Sequence, residues 1–199
     1  VIDGSQLPRG EFVSGIDVVE SLSVTVEGLQ ATGFPGAGIV LAQSTDCVAS
    51  DNVLMRNELG IGVWASEAAR NVIQSNEVYS NQIGISISEG AHDIRVEENE
   101  IYQNAEFGVS VIHDGSSASI RRNSIYDNGQ VGIHLDGSEN EDVTPPRVIG
   151  FDLAGGTVEG VTCPGCAVDI FSDGDDEGAL FEGTTAADAT GYFTVTKGP

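Results

Sequence analysis

The chain has 199 residues, of which 31 are acidic and 8 are basic, so its formal charge is −23 at pH 7. Nucleic acids and anionic membrane surfaces are bound by clustered Lys and Arg, so this charge balance argues against both as partners. No stretch approaches the ~18 uncharged apolar residues that span a bilayer. Disorder is disfavoured too, because 40% of the residues are hydrophobic and they recur with a period.

A repeat of 22–24 residues organises the first two thirds of the chain. One signature is Gly-apolar-x-apolar, which begins at Gly15, Gly38, Gly60, Gly84, Gly108 and Gly132. A second is Asn-x-apolar-x-x-Asn, found at 52–57, 76–81, 99–104 and 123–128. Alternation of apolar residues at period two predicts short strands with one buried face and with bends at Asn and Gly. Two or three such strands per repeat indicate one coil of a β-solenoid, whose stacked coils pair ~4.8 Å apart.

The Asn-x-Ile-Tyr-x-Asn and Gly-Ile-x-Ile motifs, together with Val-Ile-Asp-Gly-Ser at 1–5, resemble the right-handed parallel β-helix repeat family, the pectate-lyase-like superfold. The resemblance covers about residues 1–140. It implies an all-β chain with a right-handed parallel β-helix over residues 1–142. The superfold includes lyases and epimerases of acidic polysaccharides as well as phage tailspikes and surface proteins. These motifs therefore indicate the fold but not the activity.

The repeat also explains polar residues in structural terms. The Asn residues align in two columns, where an Asn at a bend can adopt left-handed backbone geometry and hydrogen-bond the next Asn in the stack. Cys47 aligns with the inward-facing Ile94. We therefore expect Cys47 to be a small buried hydrophobic residue rather than a nucleophile.

Tyr79, Tyr102 and Tyr126 align in one outward-facing column, which Met55 continues. A flat strip of three rings, ~10 Å long, can stack on sugar rings and is a candidate carbohydrate-binding surface. The alternative is an aromatic ladder that only stabilises the solenoid.

A complete catalytic set is not found among the repeats. The galacturonase motifs Asn-Thr-Asp, Gly-Asp-Asp and Gly-His-Gly are absent, and the single lysine, Lys197, lies outside the repeats. His92, His113 and His134 lack a paired acid at a fixed spacing, which is typical of surface histidines. We therefore assign no catalytic residue, and the sequence disfavours an enzyme.

The repeat ends at an acidic loop followed by Thr-Pro-Pro, which predicts a domain boundary and a second domain over residues 143–199. Short alternating segments in this domain predict strands at 147–151, 157–161, 167–171, 179–181 and 192–196. This pattern resembles a small immunoglobulin-like or carboxypeptidase-regulatory-like β-sandwich. With about 55 residues, the domain is short of seven strands. It is therefore expected to be incomplete or completed by a partner strand.

Cys163-Pro164-Gly165-Cys166 has the spacing of a redox dithiol, which normally lies at a helix N-terminus. Here predicted strands flank the motif and Pro-Gly forms the turn between them. A structural disulfide between Cys163 and Cys166 that closes a hairpin is therefore favoured. It indicates an oxidising compartment, so we expect an extracellular or cell-surface protein.

Two acidic loops offer oxygen ligands for Ca²⁺, the only cofactor that the sequence suggests. The candidate ligands are Asp136, Glu139 and Asp142 in the first loop and Asp173, Asp175, Asp176 and Glu177 in the second. Neither loop has the EF-hand spacing, and solvated hairpin tips are the alternative.

These observations favour a non-catalytic structural or adhesive β-helix protein of the cell surface. Strand character begins at Val1, and solenoid ends without polar caps recruit other strands. This predicts self-association, head to tail, into a fibre or array. The alternative function is binding or lyase-like cleavage of a polysaccharide, with a glycan as the partner.

Overall fold

The computed structural model describes residues 1–136, 145–152, 154–174 and 177–196. The chain divides into two compact units, Val1–Glu141 and Asp142–Pro199. Every regular element of the described residues is a β-strand. The described residues therefore include no helix that is long and apolar enough to cross a membrane.

The first unit consists of short strands of two to six residues. They are β1 (Ile2–Asp3), β2 (Ile16–Val19), β3 (Thr25–Glu27), β4 (Gln30–Thr32), β5 (Ala37–Ala42), β6 (Val48–Ser50), β7 (Val53–Met55), β8 (Leu59–Trp64), β9 (Val72–Gln74), β10 (Glu77–Tyr79), β11 (Ile83–Ser88), β12 (Arg95–Glu97), β13 (Glu100–Tyr102), β14 (Val109–Val111), β15 (Ser119–Arg121), β16 (Ser124–Tyr126) and β17 (Ile133–Leu135).

These strands form three parallel sheets in which each strand pairs with its equivalent one coil away. The sheet orders are β1-β4-β7-β10-β13-β16, β2-β5-β8-β11-β14-β17 and β3-β6-β9-β12-β15. Pairing follows the repeat, so that Ile85 lies opposite Ile61 on one side and Val109 on the other. The predicted all-β parallel solenoid is therefore confirmed. Its core is the column of inward apolar side chains, and Cys47 is fully buried within it, as predicted.

Two columns of Asn stabilise the bends between the sheets. The Oδ1 atom of Asn76 accepts hydrogen bonds from the backbone N–H and the Nδ2 of Asn52, at 3.0 and 2.9 Å. Asn76 in turn donates both equivalent bonds to Oδ1 of Asn99. The predicted Asn ladder is present, but the left-handed backbone geometry falls on the residue before each Asn, such as Ser75 with a φ of 54°. The bend is thus made by an exposed residue, while the Asn that follows it points inward and bonds the adjacent coils.

The described residues of the second unit form five antiparallel strands. They are β18 (Arg147–Asp152), β19 (Thr157–Val161), β20 (Ala167–Ser172), β21 (Leu180–Ala186) and β22 (Tyr192–Thr196). One sheet has the order β18-β19-β22, and β20 and β21 form a second, two-stranded sheet. A small cluster of Val168, Ala187 and Phe193 is buried. The strands occur close to the predicted positions, and the complete β-sandwich stays a prediction.

Candidate functional site

The candidate carbohydrate strip is a continuous stack of rings on the β7-β10-β13-β16 sheet. Tyr79, Tyr102 and Tyr126 pair in register on neighbouring strands, and Met55 pairs with Tyr79. Adjacent ring centroids lie 5.0 Å apart, and the ring planes differ by 6° and 1°. The three tyrosines therefore lie face to face along the direction in which the coils stack.

Each tyrosine hydroxyl has a partner in the preceding coil. Tyr102 donates to Oε1 of Glu77 and Tyr126 donates to Oε1 of Glu100, both at 2.7 Å. Burial raises the pKa of Tyr126 to about 12, and the hydrogen bond to Glu100 adds to the effect. Burial and the bond to Glu77 raise the pKa of Tyr102 as well. Both hydroxyls therefore stay protonated well above their ordinary titration range.

This stacking determines what the strip can bind. A sugar stacks on the face of an aromatic ring, and both faces of Tyr102 are covered by its neighbours. The strip presents ring edges along its length. Its geometry suits an aromatic ladder that stabilises the solenoid better than a platform for sugars.

A groove with a volume of about 710 Å³ runs along the bend that leads into the β5-β8-β11 sheet. It spans several coils, and its lining includes the apolar side chains of Pro35, Leu59 and Ile83. Polar groups are added by Gln82 and by two acidic residues, Glu58 and Glu106. The amide of Gln82 donates to Oε1 of Glu106 at 2.8 Å, so these two side chains bridge adjacent coils. Apolar surface next to hydrogen-bonding groups is the usual make-up of a site for a small molecule or a sugar.

Two of the eight basic residues, Arg9 and Arg56, line this same groove. Both are exposed, and among the described residues neither has an ion-pair partner. Arg70, by contrast, makes a 2.9 Å ion pair with Asp46. Sequence reasoning missed the groove because Arg9 lies in the long connection between β1 and β2, outside the repeat pattern. The length of that connection was the one available signal.

The acidic loops are described only in part. Asp136, Asp173 and Glu177 lie within the described residues, whereas Glu139, Asp142, Asp175 and Asp176 lie outside them. The carboxylate of Asp173 accepts hydrogen bonds from the backbone N–H groups of Gly178 and Ala179. Asp173 therefore bonds to the backbone just before β21. The Ca²⁺ sites stay a prediction.

Cys163 and Cys166 are joined by a disulfide in the turn between β19 and β20, with their Cα atoms 5.5 Å apart. Cys166 donates its N–H to the carbonyl of Cys163, and Gly165 has a φ of 74°. The positive φ favours glycine at this position. The motif is thus a turn closed by a disulfide and not a dithiol at a helix end. The predicted hairpin is wrong, because β19 pairs with β18 and β22 whereas β20 pairs with β21 in a separate sheet.

The soft metal-binding side chains are dispersed. Cys47 is buried in the solenoid core. The sulfur of Met55 accepts a hydrogen bond from Tyr79. His134 stacks on Phe107 with ring centroids 4.2 Å apart. Within the described ranges, no group of three or more His, Cys, Asp or Glu side chains is arranged to hold a metal ion.

Comparison with solved structures finds two modules from Azotobacter vinelandii that are similar to the chain. One is the mannuronan C-5 epimerase AlgE4 A-module, and the match covers 61% of this chain and 37% of that module, with 22% identity and a TM-score of 0.54. The other is the AlgE6 A-module, and the match covers 61% of this chain and 32% of that module, with 18% identity and a TM-score of 0.44. The chain thus spans about a third of either module. At this identity the AlgE4 likeness shows a shared fold only.

Among curated proteins, none matches the chain. Residues 10–145 match the family described as periplasmic copper-binding protein (NosD), over more than half of the chain and nearly all of the solenoid. The chain therefore belongs to the NosD family of parallel β-solenoid proteins.

Proposed function

We propose that the chain is a non-catalytic glycan-binding protein of the cell envelope, and that the groove at Arg9 and Arg56 binds carboxylate groups of an acidic glycan. The observation that carries the proposal is the placement of two exposed guanidinium groups in one groove of a very acidic chain. Two carboxylates, Glu58 and Glu106, line the same groove, so the proposal depends on direct Arg–carboxylate contacts and not on an overall positive charge. A location outside the cytoplasm is supported by the disulfide and by the family's description as periplasmic.

The chemistry of the groove suits a uronate-type sugar. Guanidinium groups bind carboxylates through two parallel hydrogen bonds. The half-buried apolar side chains of Leu59 and Ile83 can contact the C–H faces of the sugar rings. The net charge of −23 repels a polyanion over long distances. Salt screens that repulsion beyond a Debye length of about 8 Å, but it affects direct Arg–carboxylate contacts less.

The described residues do not suit the copper that the family's description names. Copper takes imidazole, thiolate and thioether ligands. Here Cys47 lies in the core, the sulfur of Met55 bonds to Tyr79, and His134 stacks on Phe107. The described residues do not bring these donors together, so they do not fit a copper site.

Affinity electrophoresis in gels containing polygalacturonate, alginate or neutral dextran tests glycan binding. We expect retardation by at least one of the acidic glycans and none by dextran. Arg9→Gln and Arg56→Gln should each reduce the retardation, and the control Arg95→Gln, an exposed residue outside the groove, should not. Equal retardation of all variants would show that the glycan does not bind in the groove. The appearance of unsaturated uronate products would refute the non-catalytic role.

Head-to-tail assembly is a second candidate, supported by the last described coil. Ile133 and Leu135 continue the inward column of Ile85 and Ile87, which are fully buried, yet they are 46% and 38% exposed. Apolar side chains in this position can be covered by a coil of a second copy. Electron microscopy of the purified chain at increasing concentration should show rods that lengthen, and particles of constant length would refute stacking.

A further inference from the structure

The outer strand of the second unit, β18, leaves its apolar side chains uncovered. It lies at the edge of the β18-β19-β22 sheet, so within the described residues one of its edges has no strand partner. Val148 is 56% exposed and Phe151 is 69% exposed. An apolar strand at a sheet edge is a template for pairing with another strand, and natural proteins usually protect such edges with charge or irregularity.

The sequence of β18 is complementary to itself. The strand reads Arg-Val-Ile-Gly-Phe-Asp from Arg147 to Asp152. When two copies pair antiparallel about a two-fold axis between Ile149 and Gly150, Arg147 of each copy faces Asp152 of the other. Val148 then faces Phe151, so apolar residues meet in the middle and opposite charges meet at both ends. Cross-strand pairs of these kinds stabilise sheets.

A β-bulge at Val148 to Gly150 would ordinarily weaken edge pairing, because it adds a residue on the bulged strand. In this register the extra residue, Ile149, faces Gly150 of the other copy. Because glycine has no side chain, the side chain of the bulged Ile149 would meet open space on the opposite strand. Arg147 has no ion-pair partner among the described residues, so its guanidinium group is available.

The other outer strands lack this pattern. β21 has exposed Leu180 and Phe181, but its one charged residue, Glu182, has no basic residue in the strand to face. β20, the other strand of that sheet, likewise has one charged residue, Asp169, and no basic one. β22, at the opposite edge of the β18 sheet, has no charged residue. The occupant that the charges favour is therefore a second copy of β18.

We propose that two copies of the chain associate through antiparallel pairing of β18 with β18, which joins their sheets into one sheet of six strands. The contact is isologous, meaning that the same surface is used on both copies, so it closes at a dimer. This inference is independent of the proposed glycan binding. The dimer also differs from head-to-tail stacking, which continues without limit.

Charge reversal tests the pairing and its register. Arg147→Asp should place two acids opposite each other at both ends of the interface, and Asp152→Arg should place two basic groups there. By sedimentation at ~0.15 M salt, where the repulsion of the two acidic chains is screened, each variant should dimerise at least roughly tenfold more weakly than wild type. An equimolar mixture of the two variants restores opposite charges at both ends, so it should form heterodimers about as tightly as wild type.

The mixture distinguishes the proposal from loss of folding. Asp152 also accepts a hydrogen bond from the N–H of Ala154, so the folding of Asp152→Arg is checked by circular dichroism. The charge control is Arg95→Asp on the first unit, which should dimerise like wild type. Cysteines at the paired positions, Val148→Cys mixed with Phe151→Cys, should form the mixed disulfide faster than either variant links to itself. A wild-type monomer at all concentrations, or variants that dimerise like wild type, would overturn the proposal.

Discussion

The hydroxyl of Tyr102 donates a 2.7 Å hydrogen bond to Glu77 in the preceding coil. Tyr102 is also stacked on the rings of Tyr79 and Tyr126. The side chain is thus held both through its ring faces and through its hydroxyl. The same arrangement recurs one coil later, where Tyr126 bonds Glu100. Such repeated contacts connect successive coils, and they favour the ladder interpretation of this column.

The free energy of unfolding should decrease as the pH rises from 10 to about 12. The pKa of Tyr126 is raised from 10.0 to about 12 in the folded chain. The folded state therefore binds more protons than the unfolded state in this interval, and stability present below pH 10 is lost as the pH passes the folded-state pKa. Urea unfolding across this range measures the slope. Tyr126→Phe should reduce the slope without abolishing it, because the raised pKa of Tyr102 contributes as well. An unchanged slope would contradict the assignment.

Replacing one Asn of the ladder should strongly reduce the free energy of unfolding. Asn76→Ala removes the acceptor for two groups of Asn52 and leaves the backbone N–H of Asn52 buried without its partner. We expect the free energy of unfolding to decrease by about 3 kcal/mol, because a buried polar group that loses its partner costs about 1–3 kcal/mol. Chemical denaturation measures this loss. The matched control is Gln74→Ala, an exposed neighbour that should change stability by less than about 0.5 kcal/mol.

The glycine of the repeat signature should not tolerate a side chain. A Cβ atom at Gly84 would lie 2.4 Å from the carbonyl oxygen of Gly108 and 2.8 Å from Cγ2 of Ile101. Gly84→Ala should therefore destabilise the solenoid by about 2–3 kcal/mol, as overpacking does. Thermal and urea unfolding would show the effect. Gly174→Ala, where a Cβ meets no atom within 4 Å, serves as the control. Equal stabilities of the two variants would contradict the close approach of the coils.

Removal of the disulfide should affect only the second unit. The bond between Cys163 and Cys166 closes a loop of four residues. Its loss, in the double variant with both cysteines replaced by Ser, should cost about 2 kcal/mol in the loop-entropy description. Hydrogen exchange followed by mass spectrometry resolves the units separately. We expect faster exchange in β19 to β22 and unchanged exchange in the solenoid, and the reverse pattern would be incompatible with the disulfide's position.

The calcium prediction is tested by metal removal. If the acidic loops hold Ca²⁺, its addition raises the melting temperature and EDTA reverses the change, because a ligand that binds only the folded state stabilises it. Asp173→Asn should reduce the shift, and Asp51→Asn, an exposed residue outside both loops, should not. Identical melting curves with Ca²⁺ and with EDTA would rule out these sites.

Much of the fold follows from the repeat alone. The period of 22–24 residues specifies the coil, and the alternation of Ile85, Ser86 and Ile87 specifies which side chains face the core. The columns of Asn and Tyr follow as well, because a parallel stack places each residue beside its equivalent. The prediction that the Asn residues themselves adopt the left-handed backbone geometry is wrong, because the positive φ lies on the residue before each Asn. Either residue can adopt that geometry, and the inward packing of the Asn decides between them.

The sequence by itself determined the β-solenoid, the two ladders and the buried position of Cys47, since each depends on contacts between neighbouring coils that the period encodes. Only the tertiary structure decided that the tyrosines cover each other's faces and that Arg9 and Arg56 line one groove. It likewise showed that β18 lies at a sheet edge. The physical reason is that ring orientation, the path of a long connection and the order of strands in a sheet depend on packing between residues that no period relates.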